Sequence, residues 1–251
     1  MFFYLWFYID FCHRQAYSFS VGYGLSVAAM GFAVLKHFDI GFSCSPLSLM
    51  SSSVIFYGIR LGLHLLVREL TVPSQAERLK EFDKSPLLQR IPFAVSVSLF
   101  YAFMTSPLMY AARAATTSST IMNVGVGLAW LGAIMEGVAD LQKFLVKRSA
   151  AKEGVDDTFV GPTGGLYTIC RHPNYLGELL FWFGLAVAGA PSFGKSPIAW
   201  GCATLGFYGI FGIMTGATKR LDKKQEEKYS DQDAYIAWKK EVKAPLFPFT
   251  K

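Results

Sequence analysis

Three groups of residues have the types and spacing to do chemistry. The first is Tyr57, Arg60, His64 and Arg68, spaced three, four and four residues apart. Steps of four drift by only about 40° around a helix, so these side chains share one face. They sit in an otherwise apolar stretch, and a charged stripe there must turn towards a protein interior or a wet cavity. The second is Glu136, Asp140, Lys143 and Lys147, again on one helical face. Two such stripes suggest a shared polar pocket. The third is the run Arg171-His172-Pro173-Asn174-Tyr175-Leu176-Gly177-Glu178. Proline suits the first turn of a helix, where its missing N–H costs nothing, so Pro173 predicts a helix start with His172 at the cap. Helix-terminal N–H groups beside Arg171 and His172 predict an anion site. Asn174 and Glu178, four residues apart, could read a sugar or an amide. Cys170 reads as a packing residue.

These groups need elements to hold them, and composition says what kind. The 251 residues are 52% hydrophobic and 17% charged, against about 25% charged in soluble domains. That is a membrane composition, and it excludes a disordered chain. A bilayer core about 30 Å thick needs roughly 20 apolar residues in a helix. Six stretches are predicted as spans: 17–35, 46–67, 91–112, 120–141, 175–190 (short) and 197–218. The expected fold is all-α, a multi-pass transmembrane helical bundle with a cytoplasmic-side pocket. Residues 1–16 read as an aromatic interfacial segment without the pattern of a signal peptide. Residues 17–218 form the bundle, and residues 219–251 a charged tail. Within that tail, Lys219 to Lys243 is predicted helical and amphipathic, a candidate lid.

The net charge of +6 could suggest a nucleic-acid partner, but its distribution is topological. One basic residue lies at Arg14, five between Arg68 and Arg90, five between Lys143 and Arg171, and nine from Lys219 onward. Only Lys36, Arg113 and Lys195 fall on the other side. Basic residues collect on the cytoplasmic side, which puts both ends and both long polar connections there. The bilayer is the expected partner, the basic tail suits anionic headgroups, and nucleic acid is not expected. The four cysteines lack metal-ligand spacing, so no metal site is expected. In the sixth span, Gly212 and Gly216 form a small-xxx-small pair that predicts close helix packing.

The motif Gly165-Leu166-Tyr167-x3-Arg171-His172-Pro173-Asn174-Tyr175-x-Gly177-Glu178, preceded by Glu136-x3-Asp140-Leu141-Gln142-Lys143, resembles the membrane family of the steroid 5-alpha-reductase C-terminal domain. Tyr57-Gly58-x-Arg60-Leu61-x2-His64-Leu65-x2-Arg68 is similar to an earlier signature of that family's small members, and Tyr229, Tyr235 and Phe247-Pro248 fit its tail. The likeness covers about residues 57 to 249. More remotely, the chain resembles sterol reductases and isoprenylcysteine carboxyl methyltransferase. The resemblance implies a cytoplasmic-side cofactor pocket spanning motif residues 136–178 and lined by Asp140, Lys143, Arg171, His172, Asn174, Tyr175 and Glu178, with weaker contributions from Asp222, Glu226 and Tyr229.

The leading expectation is reduction of a carbon–carbon double bond in a steroid-like or other lipid substrate by NADPH. In it, Tyr57, His64 or Glu136 polarises the substrate. The alternative chemistry is methyl transfer from S-adenosylmethionine to a lipid or prenylcysteine. The family's small members carry an Asp after a Tyr-Ser pair in the first span and a Trp soon after. Here the region reads Tyr17-Ser18-Phe19-Ser20-Val21-Gly22-Tyr23, with neither. That departure motivates a third reading, a non-catalytic subunit of a membrane protein complex. The endoplasmic reticulum is the expected compartment, with a mitochondrial or plastid membrane as the alternative.

Overall fold

The computed structural model describes residues 20–72, 77, 80, 84, 86–115, 118–155 and 158–248. The aromatic segment expected over residues 1–16 lies outside the described residues. Among the described residues seven α-helices follow in order: α1 (Val21–His37), α2 (Pro46–Thr71), α3 (Leu87–Arg113), α4 (Thr120–Lys152), α5 (Pro173–Gly189), α6 (Pro197–Tyr229) and α7 (Asp233–Glu241). Short 3-10 turns cover Gly165–Thr168 and Ala190–Ser192. No strand occurs among the described residues. The Pro173 signal holds, since Pro173 opens a helix; Pro46 and Pro197 open helices as well. Ser45 caps α2 by accepting from the Ser48 N–H.

Among the described residues, four helices are long and apolar enough to cross a membrane: α2, residues Ile91–Arg113 of α3, α4 and α6. The protein is therefore an integral membrane protein. At 17 residues each, α1 and α5 reach only about 26 Å. At 33 residues each, α4 and α6 extend about 50 Å, well beyond a hydrocarbon core of about 30 Å. Their charged C-terminal ends, with Lys143, Lys147, Arg148 and Lys152 on α4 and the run from Lys219 to Lys228 on α6, take up the excess.

The chain divides into two compact units. The first comprises residues 1–129 and 183–207. Its helices meet at glycines: a Cβ on Gly24 would lie 2.6 Å from the Gly58 carbonyl oxygen, and one on Gly58 would lie 2.5 Å from the Ala28 nitrogen. Gly184 packs in the same way on Gly125, and Gly206 on Phe103. Val27, Met50, Val54, Tyr57 and Leu108 are fully buried in this unit.

The second unit comprises residues 130–182 and 208–251. Gly177 brings α5 against α4, where a Cβ would lie 2.6 Å from the Glu136 nitrogen. Gly165 has φ +62, a left-handed conformation that favours glycine. It docks the 3-10 turn on α4, where Leu166 donates its N–H to Gln142 Oε1 at 3.3 Å. Phe159, Tyr229, Tyr235, Trp238 and Val242 form a buried cluster.

Two sequence expectations are corrected. Gly212 and Gly216 are not a close-packing pair among the described residues: none of these lies within 4 Å of a Cβ on Gly212, and of them only the end of the Arg220 side chain approaches Gly216. Spacing identifies glycines able to pack, but a facing helix is also required. The tail is not one helix from Lys219 to Lys243, because α6 ends at Tyr229 and α7 begins at Asp233. The break is stabilised by Gln232, whose Oε1 accepts the Phe159 N–H at 2.6 Å.

Candidate functional site

In the second unit, the Arg171-His172 pair precedes α5 and closes on a carboxylate from α6. Arg171 Nη2 donates to Asp222 Oδ2 at 2.6 Å, and Nε donates to Oδ1 at 3.4 Å. His172 Nε2 lies 2.7 Å from the same Oδ1. An ionised carboxylate only accepts, so Nε2 carries the proton here. Arg171 Nη1 donates to the carbonyls of Val242 at 2.9 Å and Lys243 at 2.6 Å. The backbone continues the clasp, with Arg171 N–H donating to the Ala244 carbonyl at 3.0 Å and His172 N–H to that of Pro245 at 3.1 Å. The N–H groups expected to await an anion thus hold the tail. Four of the five guanidinium N–H donors are used as well.

Around this clasp, His172 caps α5 through its carbonyl, which accepts the Leu176 N–H at 3.2 Å. Its ring stacks on Tyr175. Asn174 Nδ2 donates to Asp140 Oδ1 at 3.2 Å, while the buried Asn174 Oδ1 has no partner. Glu136 and Glu178 are both buried. Glu226 accepts from Tyr235 Oη at 2.9 Å and pairs with Lys239. Tyr229 packs edge-on against Phe159. Burial pushes the His172 pKa below its usual value against the pull of Asp222, with Lys143 and Arg171 adding to the lowering. Burial likewise raises the Cys170 thiol to about 11, which leaves it protonated and inert. The hydroxyl of Tyr167 is raised by burial and by Asp140; it donates to the Ala139 carbonyl at 3.2 Å.

A cleft opens beside the clasp, lined by Lys143, Tyr167, Arg171, Gln225 and Trp238, with Phe159, Gly161 and Pro162. Its enclosed room is about 10 Å³, that of one water molecule. Two of its lining residues hold buried polar atoms without hydrogen-bond partners among the described residues, Gln225 Oε1 and Trp238 Nε1. Sequence reading missed both, along with Phe159. A Trp in a charged tail reads as a packing residue, and nothing in the spacing pairs it with Phe159.

In the first unit, Tyr57 is fully buried and its Oη lies 2.9 Å from that of Tyr23. The Tyr23 ring stacks on Tyr101 with centroids 4.7 Å apart. The Arg60 guanidinium lies over the Tyr57 ring at 5.4 Å. His64 is half-buried one turn on. Tyr23 and Tyr101 were not expected as site residues, because single tyrosines in apolar stretches carry no distinguishing pattern.

The model of one protein family, described as protein of unknown function (DUF1295), matches residues 6–242. No curated protein and no solved structure matches the chain.

Proposed function

The chain belongs to the DUF1295 family, a steroid 5-alpha-reductase-like membrane family, and on that premise we propose that it is an NADPH-dependent reductase of a carbon–carbon double bond in a lipid. The observation that carries the reading is the cleft of the second unit. It brings two cations, Lys143 and Arg171, together with the partnerless Gln225 Oε1 and Trp238 Nε1. Cations suit phosphates, and a lone acceptor and donor suit a group that offers both. The two cations suit a phosphate of a nicotinamide dinucleotide lying against the cleft from its open side.

When bound, NADPH supplies a hydride that, with one proton, saturates a double bond conjugated to a carbonyl. Lys143 holds phosphate charge, and Arg171 offers its one remaining N–H. The candidate acids for the substrate carbonyl are Tyr57, hydrogen-bonded to Tyr23 within the first unit, with Glu136 and His64 as the others. Lipid enters from the bilayer, with α1 and α5 completing six spans as short helices. Residence in the endoplasmic reticulum accompanies a lipid substrate and is checked by fractionation.

One observation favours a second reading. Because Arg171 is nearly saturated, the cleft suits a cofactor with fewer negative charges, and S-adenosylmethionine carries no phosphate. Thermal-shift titration of the purified protein with each cofactor separates the two, since only a ligand of the native state raises the midpoint. A rise with NADPH, followed by NADPH oxidation in the presence of an enone lipid, supports reduction. A rise with S-adenosylmethionine alone supports methyl transfer. A rise with neither, together with co-purification in a stable complex, supports a non-catalytic subunit.

A further inference from the structure

α6 runs without a charge from Pro197 to Thr218, and from Lys219 to Lys228 it is mostly charged. Each residue advances about 100° around the helix, and on that wheel the charges separate by sign. The face turned into the second unit holds Thr218 and Tyr229, both buried, with Asp222, Gln225 and Glu226 beside them. Asp222 is bound to Arg171 and His172, and Glu226 to Tyr235 and Lys239, so both carboxylates are engaged within the unit. The opposite arc of about 180° carries Lys219, Arg220, Lys223, Lys224 and Lys228 against one carboxylate, Glu227, and all six are exposed. Glu227 lies 3.8 Å from Lys223 and offsets one of the five positive charges.

Arg220 is folded back along α6. A Cβ on Gly216 would lie 3.3 Å from its Nη1, so the guanidinium lies over Gly216, one turn nearer the apolar stretch. Side chains on a helix lean towards its N-terminus, which is the membrane side here, and the lysines share that tilt. The headgroup layer extends about 5–7 Å beyond the hydrocarbon. The rise from Thr218 to Lys224 is about 9 Å, which keeps Lys219, Arg220, Lys223 and Lys224 within reach of it.

We propose that this outer face of α6 docks on the anionic headgroups of the leaflet into which the helix emerges. Charge and position choose the occupant together, because the cations begin where the apolar stretch ends. The sequence suits headgroups over the whole tail; the fold narrows the contact to one face of α6, since Asp222, Glu226 and Lys239 are already paired inside the second unit. This binding is independent of the reaction and of the cofactor.

The test compares melting temperatures of the full chain in nanodiscs of phosphatidylcholine alone and of phosphatidylcholine with about one third phosphatidylglycerol, at low and high salt. A ligand of the native state raises the midpoint, so the anionic discs are expected to melt higher by roughly 3–8 °C, and high salt to remove the rise. Lys219→Gln, Arg220→Gln and Lys224→Gln together are expected to cut the rise by at least about half, whereas Lys219→Arg with Lys224→Arg keeps it. If the triple variant does not fold in phosphatidylcholine, Arg220→Gln alone decides. An undiminished rise in the charge-removing variant overturns the assignment and moves the lipid effect to another surface. Inorganic phosphate, polyglutamate and an RNA oligonucleotide are then added to phosphatidylcholine discs. A rise with phosphate equal to that with the anionic lipid overturns it in favour of a free anion, and an equal rise with either polymer overturns it in favour of a soluble polyanion. No rise of the wild type in anionic discs at low salt overturns it outright.

Discussion

Arg171 and Asp222 form a two-point ion pair, Nη2 to Oδ2 at 2.6 Å and Nε to Oδ1 at 3.4 Å, between residues 51 positions apart. The guanidinium is 8% exposed and the carboxylate 25%. Removing the carboxylate strands a buried charge and leaves His172 Nε2 without its acceptor. Asp222→Ala is therefore expected to lose about 2–3 kcal/mol of stability. Arg171→Lys should lose a comparable amount, because a single ammonium cannot span Asp222 and two carbonyls. Melting temperatures of both variants in one detergent check this. A loss for Asp222→Ala within experimental error would mean that the clasp is only a surface contact.

The same carboxylate governs a pH dependence. Burial, with Lys143 and Arg171 nearby, depresses the His172 pKa in the folded state even though Asp222 opposes the shift. The unfolded chain then takes up a proton at higher pH than the folded one. The contribution of this group to stability is full above about pH 6.5, the unfolded value, and is lost as pH falls through the folded value. His172→Gln keeps a donor towards Asp222 and cannot titrate. Between pH 7 and 5 its melting temperature should fall less than that of the wild type, and parallel curves would refute the assignment.

What could be read from sequence follows from what a side chain reveals by its type. Hydropathy located α2, α3, α4 and α6, and Pro173 marked where α5 begins. The motif residues Asp140, Lys143, Arg171, His172, Asn174 and Asp222 do gather in one unit. The partners of Arg171 were not legible, because two are backbone carbonyls, and any residue at 242 or 243 offers one. Trp238 belongs to a tail read only as charged and amphipathic, and its burial against Phe159 exists only in the folded second unit. The Tyr23 hydroxyl was hidden for a similar reason, since its partner lies on the next helix.

Helix contact through glycine gives a paired stability test. A methyl on Gly58 would lie 2.5 Å from the Ala28 nitrogen, and neither backbone can yield without separating α1 from α2. Gly58→Ala is expected to cost about 1–3 kcal/mol. Gly212 has nothing within 4 Å of a built Cβ, so Gly212→Ala should be neutral or gain up to about 1 kcal/mol from helix propensity. Thermal melts of the two variants in the same detergent should move in opposite directions or differ by several degrees. A large loss at Gly212 would point to a partner that covers this face of α6.

Tyr57 and Tyr23 offer a test of the chemistry apart from cofactor binding. Tyr57 is fully buried, its hydroxyl is 2.9 Å from that of Tyr23, and Arg60 lies over its ring. If its hydroxyl polarises the substrate carbonyl, Tyr57→Phe removes the donor and keeps the ring, the helix contact and the cation above it. Turnover of an enone lipid should then fall by about 100-fold or more, while NADPH affinity stays at the wild-type value. Tyr23→Phe removes only the group that orients Tyr57, so its loss should be smaller, on the order of 10-fold from one hydrogen bond. Single-turnover measurements with saturating NADPH separate these from binding effects. Equal losses in the two variants, tracking a drop in melting temperature, would assign the tyrosine pair to packing between α1 and α2 and return the acid's role to Glu136 or His64.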